Sequence, residues 1–197
     1  GEEYVPFVEL ETGSRFSGHD LYHLLASRAV DAYNTMRRFD ADSLMLKRIE
    51  DIRVALMEAY KQRPEREDAL VLATLDYLKF LNARSPIDEE EDTAYVAALD
   101  DLIARHGQRP VCAEVYLVKA QYLYAGSRQK QPARALRVCE EALERYANYE
   151  RLNGVRHLRD SILQPRLTVR TPAASYPGGF LALTASFRDL AGFTLNL

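Results

Sequence analysis

The chain has no tryptophan and only two cysteines and three methionines among its 197 residues. Two cysteines, Cys112 and Cys139, cannot build the disulfide framework on which small secreted modules depend. Each falls at an apolar position of an expected helix, where a free cysteine behaves as a small hydrophobe. If those helices run antiparallel through a loop near Arg128, Cys112 lies level with Tyr146 and Cys139 with Lys119. That separation is too great for a bridge. Long apolar runs are missing too: none approaches the roughly 20 residues needed to cross a bilayer. Nor does one sign of charge dominate, since 26 basic and 29 acidic side chains give a net charge of −3. Without a basic stripe the sequence offers nothing to nucleic acid or to an anionic membrane. There is no G-x-S-x-G elbow, phosphate loop or C-x-x-C pair, so the expectation is a chain that is not an enzyme and carries no cofactor.

What is present is a 47% hydrophobic chain with helical spacing over most of its length. Residues 1–16, with Pro6, Gly13 and alternating Tyr4, Phe7 and Leu10, read as an irregular arm. From Leu21 the series Leu21, Leu24, Leu25, Ala29, Ala32, Tyr33 and Met36 marks one apolar helix face, with Ser17 or Asp20 available as its cap. A second helix after Asp42 or Ser43 carries Leu46, Ile49, Ile52, Leu56 and Ala59 and stops before Pro64, because a residue ahead of proline is pushed out of helical geometry. The third, about 65–83, is apolar nearly all round, which requires a central place in the array. The run Asp88–Asp92 opens a fourth helix that ends at Gly107 with Pro110 beyond, acid at the front and glycine then proline at the back. A fifth (about 111–125), a sixth (about 132–146) and a seventh (about 149–163) follow. Short connections imply antiparallel neighbours.

On the sixth helix, Ala135, Cys139 and Ala142 form the small-residue stripe that lets helices approach closely. This resembles the second helix of a tetratricopeptide repeat, without a clean repeat period. At Gln164-Pro165 the period changes: Leu167, Val169 and Thr171 alternate with Arg166, Thr168 and Arg170, a strand with one wet face. Tyr176–Gly179 reads as a turn, and further short strands are expected from Gly179 to Arg188 and around Asp189–Gly192. The sequence therefore predicts a mainly α protein: an arm over 1–16, a tetratricopeptide-like antiparallel array of about seven helices over 17–164, and a partial β-sandwich over 165–197.

Three constellations invite chemistry. His19-Asp-Leu-Tyr-His23 approaches the zinc-protease H-E-x-x-H arrangement, but Asp20 stands where the water-activating Glu belongs and no third ligand follows. The simpler reading is a capped helical turn with exposed histidines. Asp88–Asp92 offers five acids that point around a helix axis instead of converging on one cation, so a solvated helix front is expected. The 12 tyrosines are more suggestive. Tyr116, Tyr122 and Tyr124 on the fifth helix and Tyr146 and Tyr149 after the sixth can line a peptide groove on a curved array, or fill gaps between helices with their hydroxyls wet.

Phe7-Val-Glu-Leu-Glu11, Asp20-Leu-Tyr-His-Leu-Leu-Ala-Ser-Arg-Ala-Val-Asp-Ala-Tyr33, Ile162-Leu-Gln-Pro-Arg-Leu-Thr-Val169 and Pro177-Gly-Gly-Phe-Leu-Ala-Leu-Thr-Ala-Ser-Phe-Arg188 occur in this order along the chain. Taken together the chain resembles the N-terminal region of bacterial α2-macroglobulin-like proteins. The resemblance implies a helical segment ahead of a string of macroglobulin-type β domains, in an exported protein of the periplasm or outer cell envelope. The family's thioester motif, Cys-Gly-Glu-Gln, is not in this chain, so protease trapping is not assigned to these residues. The expected role is a non-catalytic interaction or spacer domain whose partners are the other domains of its parent chain and a protein or peptide. The alternative is a free-standing tetratricopeptide-like adaptor that binds an extended peptide.

Overall fold

The computed structural model describes residues 21–37, 43–84, 89–170, 184–188 and 194. Among these residues the chain forms seven α-helices and one pair of strands. They are α1 (Leu21–Arg37), α2 (Ser43–Lys61), α3 (Glu67–Asn82), α4 (Glu89–His106), α5 (Cys112–Gln121), α6 (Pro132–Arg145) and α7 (Asn153–Leu163), then β1 (Arg166–Arg170) and β2 (Thr184–Arg188). The arm over 1–16, the proposed caps Ser17 and Asp20, His19, Asp88, the turn at 176–179 and the strands expected around 189–192 lie outside the described residues.

Local chemistry sets the breaks. Arg63, the residue before Pro64, sits at φ −129° and ψ 81°, out of the helical region as proline demands. The chain then makes a 3₁₀ turn over Pro64–Arg66 before α3 begins. Pro132 takes the first position of α6, where its missing N–H costs nothing. Two boundaries differ from the sequence reading. The expected fifth helix is α-helical only to Gln121 and closes in a π-helical turn over Tyr122–Gly126. The seventh begins at Asn153, because Tyr149 is held by a turn in which its N–H donates to the Tyr146 carbonyl at 2.8 Å.

Each helix packs on the next in sequence, and α5 also packs on α7 and on α3. Neighbours run antiparallel: Asp92 near the start of α4 meets Tyr122 just beyond α5, and Tyr116 near the start of α5 meets Glu141 near the end of α6. Among the described residues two hydrophobic clusters hold the array together. The larger gathers Val71, Leu75, Leu99, Leu102, Val115, Leu123, Val138, Leu152 and Val155 from α3 through α7. The smaller holds Leu56, Met57 and Tyr60 of α2 against Ala69 and Ala73 of α3. α3 contributes to both, which is why its sequence has so little polar surface. Ala135, Cys139 and Ala142 are fully buried, and the small stripe brings α6 close to α5.

β1 and β2 form a two-stranded antiparallel ribbon with Leu167 opposite Phe187, Thr168 opposite Ser186 and Val169 opposite Ala185. Period-2 alternation puts Leu167 and Val169 on the same face. No helix packs extensively on the ribbon among the described residues. Leu167 and Val169 are accordingly 45% and 41% exposed.

Candidate functional site: a polar cleft beside the π turn

The π turn arises where the chain must leave α5 and reach α6. The Ser127 N–H donates to the Tyr122 carbonyl at 2.8 Å, five residues back, and the Gln131 N–H donates to the Leu123 carbonyl at 2.8 Å. Gly126 is required by close approach, since a Cβ there would meet Cδ2 of the Tyr122 ring at 2.7 Å. Ser127 is buried, and its hydroxyl donates to the Gln129 carbonyl at 2.7 Å. These bonds fix the connection Gly126–Gln131 as a shaped wall. π-helical turns of this kind mark functional positions in many folds.

Opposite that wall stands α4. Asp92, Thr93, Val96, Ala97 and Asp100 share one face of it, and together with Leu123, Ser127, Arg128, Gln129, Gln131 and Arg134 they line a cleft of about 240 Å³. Val96 and Leu123 are buried and make an apolar floor. Asp92 ties the two walls together: one carboxylate oxygen accepts from the Tyr122 hydroxyl and the other accepts from the Arg128 backbone N–H at 2.7 Å. Asp100 accepts from the Lys119 ammonium of α5. Asp92 is thus no longer the solvated helix front read from the sequence, because the α5–α6 connection folds back onto it. Below it the Tyr95 and Tyr122 rings meet edge to face at 4.7 Å, and burial pushes the Tyr95 phenol up to about 12.

A second polar cluster joins the start of α3 to the α4–α5 connection. His106 Nδ1 lies 2.8 Å from Glu67 Oε1, Arg109 Nε donates to Asp68 Oδ1 at 2.6 Å, and the Cys112 thiol donates to the His106 carbonyl at 2.9 Å. Every member has a partner within the cluster, as expected of an ion-pair network that ties α3 to the α4–α5 connection.

The tyrosines do not make a common surface. Tyr116 is 2% and Tyr146 6% exposed, their rings 5.8 Å apart and tilted by 69°. The Tyr116 hydroxyl donates to Glu141 at 2.5 Å and that of Tyr146 to the Gly107 carbonyl at 2.8 Å. Tyr122, Tyr124 and Tyr149 are half-buried against the larger cluster, and the Tyr149 hydroxyl meets Glu114 at 3.4 Å. Of the five residues expected to line a groove, Tyr116 and Tyr146 are corrected to interhelix packing because they lie inside the core, while Tyr122, Tyr124 and Tyr149 keep part of their surface exposed. Burial, aided by the Glu114 carboxylate, also pushes Tyr149 up to about 12.

The exposed-histidine reading is corrected for His23. It is 3% exposed, because the antiparallel pairing of α1 and α2 places it against Tyr60, with Nδ1 3.2 Å from the tyrosine hydroxyl. Among the described residues no group of three or more His, Cys, Asp or Glu side chains converges as a metal site. Both cysteines are free and buried, and burial raises each thiol to about 11. No described helix is long and apolar enough to cross a membrane.

The residues that sequence reasoning passed over are Arg128, Arg134, Gln129 and Gln131 of the cleft. A signal was available: from Gly126 to Val138 the chain carries Arg128, Lys130, Arg134 and Arg137 and no acid, although its net charge is negative. No family model, curated protein or solved structure matches the chain.

Proposed function

We propose that this chain is a non-catalytic helical interaction or spacer domain that hands over, at Gln164-Pro165, to the opening strands of a β domain. In this reading it stands at the N-terminus of an exported, α2-macroglobulin-like protein of the periplasm or outer envelope, whose activity in protease inhibition or envelope defence resides in other domains. One observation carries the proposal. Leu167 and Val169, together with Leu163 at the end of α7, present exposed apolar side chains on and beside a ribbon of two strands among the described residues. An isolated two-stranded ribbon is marginal in water and needs further strands or a packed face. Additional strands of the parent chain covering Leu167 and Val169 supply both. Of the resembling segments, Ile162–Val169 spans the same transition and Pro177–Arg188 follows it.

Hydrogen exchange tests the reading on the 197-residue chain and on a version extended through the next segment of the parent gene. In the 197-residue chain the amides of β1 and β2 exchange much faster than those of α5 and α6, and the extension slows them. Ribbon amides already as protected as α5, or unaltered by the extension, would sink the proposal. The adaptor reading gains no support from the tyrosines, whose buried members cannot touch a peptide.

A further inference from the structure

We propose that the cleft between α4 and the start of α6 is a docking site for an acidic peptide segment, which seats one carboxylate side chain between Arg128 and Arg134. This proposal is independent of the parent-protein reading.

The argument turns on which charges already have partners. Five arginines elsewhere in the array are spent on internal ion pairs: Arg84 on Glu50, Arg105 on Asp101, Arg109 on Asp68, Arg151 on Glu114 and Arg159 on Asp160. The stretch from Gly126 to Val138 gathers four basic side chains and no acid. Arg128, Lys130, Arg134 and Arg137 are all exposed. Among the described residues none of the four forms an ion pair, and the Arg134 guanidinium reaches only the Gln131 side chain, at 3.3 Å. The acids on the facing wall have partners of their own. Asp92 is held by the Tyr122 hydroxyl and the Arg128 backbone N–H, which turns its oxygens toward the connection, and Asp100 is paired with Lys119. With Lys119 counted, basic charge exceeds acidic charge around the cleft.

The site's shape fits the same ligand. A cleft of about 240 Å³ is smaller than a drug-sized pocket and suits one or two side chains. Its floor, Val96 and Leu123, accepts a methylene stem, while the guanidinium groups at the rim provide fork-shaped donors that match a carboxylate. Gln129 and Gln131 add amide donors and acceptors for a peptide backbone, and the positive end of the α6 dipole lies on the same side. Lys130 and Arg137, outside the cleft, extend the cationic surface along the connection and onto α6, where flanking acids of an extended segment would meet them.

Fluorescence anisotropy with a short fluorescein-labelled peptide of alternating glutamate and leucine tests the proposal on the intact chain. Binding is expected to weaken as NaCl is raised, to vanish for the counterpart peptide with glutamine in place of glutamate, and to perturb the methyl signals of Val96 and Leu123 in NMR spectra. The double variant Arg128→Gln/Arg134→Gln loses about tenfold or more in affinity, while Arg156→Gln on α7, outside the cleft, leaves it unchanged. Both substituted sites are solvent-exposed, and circular dichroism confirms the fold before binding is measured; Arg128→Glu alone gives an independent reading by charge reversal. Equal binding of the glutamine peptide, or no loss in the double variant, overturns the proposal. So does glutarate that binds as tightly as the peptide, which would mark a small-carboxylate site, or a single-stranded oligonucleotide that binds more tightly, which would mark a general polyanion surface.

Discussion

The hydroxyl of Tyr146 donates a hydrogen bond to the backbone carbonyl of Gly107 at 2.8 Å, in the buried interior. The contact joins the end of α6 to the residue that terminates α4, across a separation of 39 residues. Gly107 is itself held tightly, since a Cβ there would meet the Ile103 carbonyl oxygen at 2.6 Å. Tyr146→Phe removes the donor and leaves a buried carbonyl without it. The expected loss is about 1–2 kcal/mol, read as a lower urea midpoint with an unchanged slope.

Gly126→Ala acts on the π turn. Its new methyl collides with the Tyr122 ring, so the ring must move and its hydroxyl must give up Asp92. We expect a destabilisation of about 1–2 kcal/mol from the lost part-buried bond and local strain, together with faster amide exchange at Arg128, whose N–H shares the same carboxylate. A stability unchanged from the parent chain would show that the turn can relax without cost.

Ala142→Leu probes the small-residue stripe. Ala142 is fully buried in the larger cluster, with no room for extra methylenes between α6 and α5. Overpacking of this kind costs about 1–3 kcal/mol, measurable as a fall in thermal midpoint. The same substitution at exposed Ala133 should change the midpoint little.

The buried thiols and phenols predict an alkaline limit. Cys112 and Cys139 are raised to about 11, and Tyr95, Tyr146 and Tyr149 to about 12, with burial the largest cause in each. In every case the folded state favours the protonated form, so the unfolded chain loses its protons first as pH rises. Their contribution is fully present below about pH 9, where the unfolded thiols and phenols are still protonated, and is lost progressively from there to about pH 12. Denaturation midpoints should hold to about pH 9 and fall above it. At neutral pH both thiols should resist a maleimide reagent until the chain is unfolded; rapid labelling of native protein would contradict their burial.

Replacing Leu167 and Val169 together by threonine should leave the helical array's stability within about 0.5 kcal/mol, because these side chains are exposed and no helix packs extensively on the ribbon among the described residues. A larger fall by circular dichroism would reveal a dependence of the array on the ribbon.

The helices were legible because burial writes a period into sequence. The near-continuous apolar run of α3 announced its central place, and Pro64 and Pro132 marked breaks that proline chemistry enforces at any position. The stripe Ala135, Cys139 and Ala142 foretold close approach of α6 to a neighbour. The π turn was not legible, because its bond from Ser127 to Tyr122 depends on how Gly126 admits the tyrosine ring. The tyrosines misled for a related reason. An amphipathic ring suits a groove as well as a core, and only the neighbours of Tyr116 and Tyr146 decide between them.

Residue spacing alone therefore determined the class of this protein: a helical array that changes to strands at Gln164-Pro165, since period and proline geometry are properties of the local chain. Tertiary structure decided which polar groups remain available. Asp92 and Asp100 look like free acids in the sequence, but folding commits them to Tyr122, the Arg128 backbone and Lys119, and leaves the Arg128 and Arg134 side chains without ion-pair partners among the described residues. That division rests on contacts between residues 19 to 36 positions apart, and no local pattern encodes contacts at such distances.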